Sequence, residues 1–119
     1  MAYDVVDVNE LPGEGPGEAV RFVRRRLNAT AFGINWFDLG PGVVGREHDE
    51  TETGQEEVYV VVAGYGTMTI DGEVVALHRG MFVRVDPEST RVPIAGDAGL
   101  TLVAVGSPRE VAYQPRGPF

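Results

Sequence analysis

Short runs of β-branched and aromatic residues, separated by glycine, proline and aspartate, dominate the hydrophobic pattern of this chain. Strands punctuated by turn residues in this way predict a β-sandwich or a β-barrel. No window keeps the hydrophobic period of an amphipathic helix, so we expect little or no helix. The pattern therefore predicts an all-β fold. The expected strands cover residues 3–8, 20–27, 32–39, 57–62, 67–70, 73–77, 81–85, 90–94 and 100–105.

The clearest local signal is the pair Asp71 and Gly72, which stands between two of these runs. A two-residue hairpin turn needs positive φ, and an Asp-Gly pair supplies it at low cost. The flanking runs are therefore predicted to form an antiparallel hairpin, with Gly72 at positive φ. Residues 64–66 are expected to end the strand before this hairpin, and residues 95–99 to separate the last two strands.

One predicted strand is apolar on both faces. Val58, Val60 and Val62 alternate with Tyr59 and Val61, so that large hydrophobic side chains point in both directions. A strand of this kind must be covered on both faces. In a chain of 119 residues we expect the second cover to be another subunit, which predicts a homodimer.

The composition is that of a single domain over residues 1–119, with 43% hydrophobic and 24% charged residues. The chain has no cysteine, which excludes disulfides, thiolate nucleophiles and cysteine-ligated metal centres. The amino terminus lacks the basic and apolar regions of a signal peptide, and no apolar run is long enough to span a membrane. We therefore expect a cytoplasmic protein without membrane contact.

The net charge also limits the expected partners. A formal charge of −8 repels nucleic-acid phosphates and anionic lipids from most of the surface, so we expect neither as a partner. The local exception is a basic cluster formed by Arg21 and the three arginines at 24–26. We interpret this cluster as part of a solvated strand that pairs with nearby carboxylates, rather than as a nucleic-acid site.

Two segments carry the candidate chemistry. Residues 45–64 read GREHDETETGQEEVYVVVAG and contain His48 and Glu57, and residues 80–96 read GMFVRVDPESTRVPIAG and open with Gly80. In this order, with a hairpin between them, the segments resemble the two conserved motifs of the cupin family. The resemblance covers about two-thirds of the chain and implies a small antiparallel β-barrel of the jelly-roll type. Barrels of this kind hold a ligand or a metal among inward-facing side chains.

The resemblance implies a metal centre of several histidines and one carboxylate, a set that suits iron, manganese, nickel, copper or zinc. Only His48 and Glu57 clearly match that set. The second histidine position falls on Glu50 when His48 anchors the alignment. It falls on Glu52 or Thr53 when Glu57 anchors the alignment, because extra residues precede that glutamate.

Arg91 stands where the second cupin motif has its histidine. A guanidinium stays protonated and has no lone pair to give, so it is no metal ligand and its charge opposes a metal nearby. We expect His48, Glu50, Glu57 and Arg91 to point into one pocket. Arg91 could pair with Glu57 as an internal brace, clamp an anionic ligand, or adjoin a metal site reduced to His48 and Glu57.

Two functions follow from these alternatives. The first is a domain that binds a small anionic metabolite in the barrel and has a degenerate metal site, with at most a divalent transition metal at low occupancy as cofactor. The second is a cupin enzyme, either a metal-dependent dioxygenase or isomerase with a reduced ligand set, or a metal-free isomerase that uses His48 and a carboxylate. The fold alone does not choose between them, since it hosts many chemistries.

Overall fold

Six antiparallel strands form the framework of the computed structural model, which describes residues 2–117. Within these residues, helix is limited to one short α-helix and two 3-10 turns at Val8–Glu10 and Pro16–Glu18. The prediction of an all-β fold with little helix is therefore confirmed. The elements are β1 (Val20–Arg21), α1 (Val23–Leu27), β2 (Gly33–Leu39), β3 (Gln55–Ile70), β4 (Glu73–His78), β5 (Phe82–Val85) and β6 (Arg91–Pro108).

The two longest strands, β3 and β6, pair with each other along most of their length. Residues 55–64 of β3 pair with residues 100–108 of β6, whereas residues 66–70 pair with residues 91–95. The register jumps between these two stretches, so that each strand contributes one half to each of two sheets. The expectation that residues 95–99 separate two strands was wrong, because β6 continues through them.

The halves of β3 and β6 organise the other strands into two layers. All six strands belong to one continuous hydrogen-bonded sheet, which folds over at the register jump. In the first layer, here called the first sheet, the order is β1, β2, β6, β3, β5, and in the second layer, the second sheet, β4 pairs with the end of β3. Single bridges from Val44 to Ile94 and from His48 to Arg91 add the segment before β3 to the second sheet. Side chains from both sheets meet in one core, so that the layers form a barrel-like sandwich.

Gly64 and Gly66 lie at the bend where β3 passes from one sheet to the other. A Cβ atom at Gly64 would collide with the backbone of Gly99, and one at Gly66 with the backbone of Ile94. Gly64 also has a φ of 74°, which favours glycine. We expected these glycines to end the strand. They instead allow β3 and β6 to approach closely at the bend, so the strand continues.

The Asp71–Gly72 turn has the predicted conformation. The φ angles are 49° for Asp71 and 84° for Gly72, and Ile70 pairs with Glu73 across the turn. Positive φ at both central residues is the geometry of the hairpin turn that matches the twist of the two strands.

The amino-terminal third departs from the predicted strands. Residues 3–8 belong to no strand, and the Asp7 side chain instead caps the first 3-10 turn by accepting a hydrogen bond from the backbone of Asn9. The predicted strand at 20–27 is only two residues long before α1 begins. Within the basic cluster, Arg21 pairs with Asp38 at 3.6 Å, while the other three arginines lie exposed on α1.

The alternation of side chains along β3 determines which of them point into the barrel. Tyr59 and Val61 are buried in the core, whereas Val58, Val60 and Val62 lie on the outer face and are only partly covered. Up to the register shift after Val61, every second residue of β3 therefore points into the barrel, beginning with Gln55 and Glu57. Among the residues described, no helix has the length and apolar character needed to cross a membrane.

Candidate functional site

Polar side chains replace the apolar core at the end of the barrel where β3 and β6 meet the segment before β3. Glu57 has the same orientation as Tyr59, because the two are separated by one residue on the same strand. His48 lies opposite Arg91, and their backbones exchange hydrogen bonds of 3.1 and 2.9 Å. The sheet pairing therefore brings the side chains of both strands and of the edge segment to one place.

Arg91 lies in the interior, with a side chain that is 0% exposed. Its Nη2 donates to Glu57 Oε1 at 3.1 Å, its Nε to the Tyr59 hydroxyl at 3.3 Å, and its Nη1 to the Ser89 carbonyl at 2.7 Å. Every guanidinium nitrogen thus has a protein acceptor. This enclosure favours the internal brace over the anion clamp, since a ligand from solvent would reach none of these donors. The geometry is that of the internal brace.

Glu57 receives hydrogen bonds on one oxygen from two neighbours. Its Oε1 accepts from the Tyr59 hydroxyl at 2.6 Å and from Arg91 at 3.1 Å. Burial raises the pKa of Glu57, but the neighbouring His48, the hydrogen bond from Tyr59 and the charge of Arg91 together lower it by more, so that the net shift is downward. Burial and the adjacent Glu57 charge raise the pKa of Tyr59, which therefore stays protonated as a donor.

His48 has an oxygen acceptor at each ring nitrogen. Its Nδ1 lies 3.3 Å from the Arg46 carbonyl, and its Nε2 lies 3.1 Å from Glu50 Oε2 and 3.8 Å from Glu57 Oε1. A neutral imidazole has one N–H and satisfies only one of these acceptors, whereas the imidazolium satisfies both. The Glu57 carboxylate, more than any other group, raises the pKa of His48 against the opposing effect of burial. Glu50 is nonetheless the nearer carboxylate.

Glu50, and neither Glu52 nor Thr53, lies beside His48. The backbone N–H of Glu50 donates to the Pro87 carbonyl at 2.8 Å, and the Thr53 hydroxyl donates to Glu50 Oε1 at 2.9 Å. Glu52 lies on the exposed turn that follows. The turn contains the extra residues that made the alignment ambiguous, and it returns the chain to β3 without moving Glu50 from the site.

His48, Glu50 and Glu57 form a possible metal-binding triad, because one donor atom of each lies within 4.8 Å of the others. The donor set nevertheless fits a transition metal poorly. It has one imidazole where such metals favour several. Glu57 Oε1 already accepts two hydrogen bonds, and one of them comes from the permanent charge of Arg91. A metal would have to compete with a guanidinium and with a proton on His48.

Two polar residues of the inner face were not predicted as site residues. The Tyr59 hydroxyl joins Glu57 to Arg91, although the sequence indicated this residue only as part of a strand that is apolar on both faces. Asn35 lies on β2. The sequence predicted this strand but did not predict that a polar side chain on it points inward. The available signal was its spacing from Phe37 and Leu39, whose side chains point into the core.

The chain belongs to the cupin family, since the model of the cupin domain matches residues 35–105. A solved cupin protein from Bacteroides fragilis is 21% identical, with a TM-score of 0.76 over 98% of this chain and 92% of that chain. A predicted oxalate decarboxylase from Thermotoga maritima is 20% identical, with a TM-score of 0.70 over 87% and 97%. A salicylate 1,2-dioxygenase variant from Pseudoaminobacter salicylatoxidans, in complex with gentisate, is 19% identical, with a TM-score of 0.59 over 65% and 20%. No curated protein matches the chain. At these identities the similarity to solved structures concerns the fold.

Proposed function

We propose that this cupin binds a small organic acid at the open end of its barrel, without a transition metal. The cationic group that meets the ligand carboxylate is His48, whose side chain is 20% exposed, and not the enclosed Arg91. The observation that carries the proposal is the contact of 3.1 Å between His48 Nε2 and Glu50 Oε2. A carboxylate of the protein already occupies the position that a ligand carboxylate would take.

Glu50 can leave this position more easily than the other members of the site. It precedes a turn closed by the hydrogen bond from Gly54 to its carbonyl, whereas Glu57 and Arg91 belong to the central strands. An incoming carboxylate would replace that of Glu50 at the imidazolium, and the Thr53 hydroxyl would still hold the displaced side chain. Arg91 acts through Glu57, which it keeps oriented and ionised beside His48.

The names of two similar structures are in keeping with this ligand class. One is a predicted oxalate decarboxylase, and the other is a salicylate dioxygenase in complex with gentisate. Oxalate, salicylate and gentisate are all small organic acids. The proposal for the present chain rests on its own His48 and Glu50 geometry.

Titration with acetate, propionate, butyrate and oxalate, followed by the nuclear magnetic resonance signals of the His48 ring, tests the proposal. His48→Gln should weaken binding by roughly tenfold or more, since it removes the cation. Glu50→Gln should strengthen binding, because the competing carboxylate is lost. The matched control is His78→Gln, which changes an exposed histidine on β4. The proposal is wrong if none of the acids binds, or if both histidine variants behave alike.

Metal titration tests the part of the proposal that the site works without a transition metal. Calorimetry with Zn²⁺ and Ni²⁺ should give no tight stoichiometric binding to the wild type, and chelator treatment should leave the thermal midpoint unchanged. Arg91→His removes the permanent charge and restores a histidine at the position of the second motif, so it should raise the affinity for both ions. Tight binding by the wild type would favour the metal-dependent alternative.

A metal-free isomerase is the second candidate. His48 Nε2 lies between two carboxylates, at 3.1 Å from Glu50 and 3.8 Å from Glu57, so a proton can be exchanged within the group. If the site performs this chemistry, the protein should catalyse exchange of carbon-bound hydrogen next to the carboxylate of a bound acid in deuterated water. Exchange that is present in the wild type and absent in His48→Gln would favour this candidate.

We also propose a homodimer that forms through the outer face of the first sheet. Val58 and Val60 of β3 pair with Val105 and Val103 of β6, and Val60 also pairs with Phe82, which is 70% exposed. These side chains form an apolar surface continuous across three strands, and a second copy would cover it. Light scattering of the wild type should give twice the mass of one chain. The Phe82→Glu variant should give the mass of a single chain. A wild-type monomer would contradict the proposal.

A single domain over residues 1–119 and a cytoplasmic location complete the proposal. The cupin domain model itself matches residues 35–105, and β1 joins the same sheet as the matched strands. Limited proteolysis should therefore release no stable fragment that begins after β1. Cell fractionation with an antibody to the chain tests the location, and recovery with the membrane or secreted fraction would contradict it.

A further inference from the structure

Asn35 is a polar side chain on the inner face of the first sheet. It pairs with Ala104 of β6, which in turn pairs with Tyr59 of β3. Ala104 and Tyr59 are both buried in the core, and directly paired residues of neighbouring strands point to the same face. The side chain of Asn35 therefore points into the barrel, like Phe37 two residues further along β2.

The side-chain oxygen of Asn35 is buried and has no hydrogen-bond partner among residues 2–117. A buried amide oxygen without a partner is unfavourable, since it loses its hydrogen bonds to water on folding and gains none. The only other such side-chain atom in the described part of the chain is Nε of Arg21, on β1. A hydrogen-bond donor from outside the protein would therefore stabilise this acceptor inside the barrel.

The row next to Asn35 on the inner face contains two glycines and the site residue Glu57. In the adjacent row, Gly33 of β2 pairs with Gly106 of β6, which pairs with Glu57. A Cβ atom added to Gly106 would lie 2.6 Å from Gln55 Oε1 and 3.5 Å from Glu57 Oε2. The polar ends of the Gln55 and Glu57 side chains therefore lie over this floor of two glycines, in the row next to Asn35.

We infer that Asn35 is a specificity-determining contact for a hydroxyl group, so that the ligand is a small hydroxy acid. This inference rests on the proposed function, in which His48 receives the carboxylate. A hydroxyl both donates and accepts, so it pairs with the buried end of the Asn35 amide whichever way that amide is turned. An aliphatic acid would leave Asn35 unpaired. A second carboxylate would be repelled by Glu57 at the same floor.

The test compares acids that differ by one hydroxyl: glycolate with acetate, lactate with propionate, and 3-hydroxybutyrate with butyrate. Binding is measured by chemical-shift titration of the wild type and of Asn35→Leu and Asn35→Thr. We expect the wild type to prefer at least one hydroxy acid by about tenfold, the value of one hydrogen bond to a buried polar group. Asn35→Leu should bring that ratio close to one, and Asn35→Thr, which keeps a hydrogen-bonding group, should retain part of it.

Each outcome bears on a different statement. If the wild type binds no acid of either kind, the proposed function is wrong and the inference falls with it. If acids bind but the hydroxyl makes no difference, or if Asn35→Leu keeps the preference, only the inference is overturned. If Asn35→Leu weakens the binding of the hydroxy acid and of its plain counterpart equally, Asn35 lines the pocket without contacting the hydroxyl, and the inference is overturned. The thermal midpoint of Asn35→Leu should stay level or rise, because an unpaired buried polar group is removed, and a large fall would also overturn the inference.

Discussion

Glu56 and Glu57 are neighbours on β3, and each pairs with an arginine, but on opposite faces of the sheet. Glu57 meets Arg91 at 3.1 Å inside the barrel, where the arginine is 0% exposed. Glu56 meets Arg84 at 2.9 Å on the outside, where the side chains are 42% and 54% exposed. The two pairs have the same chemistry and nearly the same distance. They differ in whether water can replace a lost partner.

The outer pair belongs to a network that can rearrange. Arg84 also contacts Asp86 at 2.7 Å, and Arg109 contacts both Asp86 and Glu56. Water and salt screen these charges, so each contact contributes little to stability. The inner pair has a fixed set of donors and acceptors, and removal of one partner leaves a charge without water around it. The position of an ion pair relative to the core, more than its length, therefore determines its effect on stability.

Removal of the inner arginine should have the largest effect. Arg91→Met should lower the free energy of unfolding by about 3–5 kcal/mol, because it leaves the Glu57 carboxylate buried without its cation. The double variant Arg91→Met with Glu57→Gln should recover a large part of this loss, because neither charge remains. Urea unfolding of the single and double variants measures both effects. Additive losses would mean that the two side chains do not act as a pair.

Replacement of the inner arginine by lysine should have an intermediate effect. Arg91→Lys keeps the charge but loses the fork that reaches Glu57, Tyr59 and the Ser89 carbonyl together, which should cost on the order of 1–3 kcal/mol. The matched change on the outer face is Arg84→Lys, which should be nearly neutral. Equal unfolding midpoints for the two lysine variants would remove the distinction between the faces.

The stability of the inner site should also depend on pH through His48. The folded state raises the pKa of His48 above its ordinary value of about 6.5, chiefly through Glu57. The stabilisation is therefore complete below about pH 6.5 and is lost as the pH rises through the folded pKa. The difference in thermal midpoint between the wild type and His48→Gln should shrink from pH 5.5 to pH 9. His78→Gln, which changes an exposed histidine on β4, is the matched control.

The smallest effect is expected on the outer face. Glu56→Gln should change the free energy of unfolding by less than about a quarter of the Arg91→Met effect, and added salt should reduce the difference further. The measurement is urea unfolding at low and high ionic strength. A large, salt-independent loss would show that the outer network is as important to stability as the inner pair.

The sequence predicted those parts of the fold that depend on local chemistry. The Asp71–Gly72 hairpin formed as expected, because its residues define the turn without help from the rest of the chain. The strand predicted at 20–27 failed, because Arg24 and its arginine neighbours are good helix formers and Asn28 ends the helix at a φ of 56°. That asparagine was a usable signal.

The site could be predicted as a set of residues but not as an arrangement. The motif spacing indicated His48, Glu57 and Arg91, and the structure brings their side chains together. The choice between Glu50 and Glu52 depended on the backbone contact of Glu50 with Pro87, which is distant in sequence. The enclosure of Arg91 likewise depends on the packing of both sheets around it. Contacts of this kind have no local signature in the sequence.

The shared strands β3 and β6 also have a consequence for folding. Neither sheet can form or separate without the other, because each contains half of both strands. We expect unfolding to be a single cooperative transition in which fluorescence of Trp36 and far-ultraviolet circular dichroism change together. The pairing of residues 55–64 with residues 100–108 joins distant parts of the chain, so the barrel should close slowly after the 71–72 hairpin has formed.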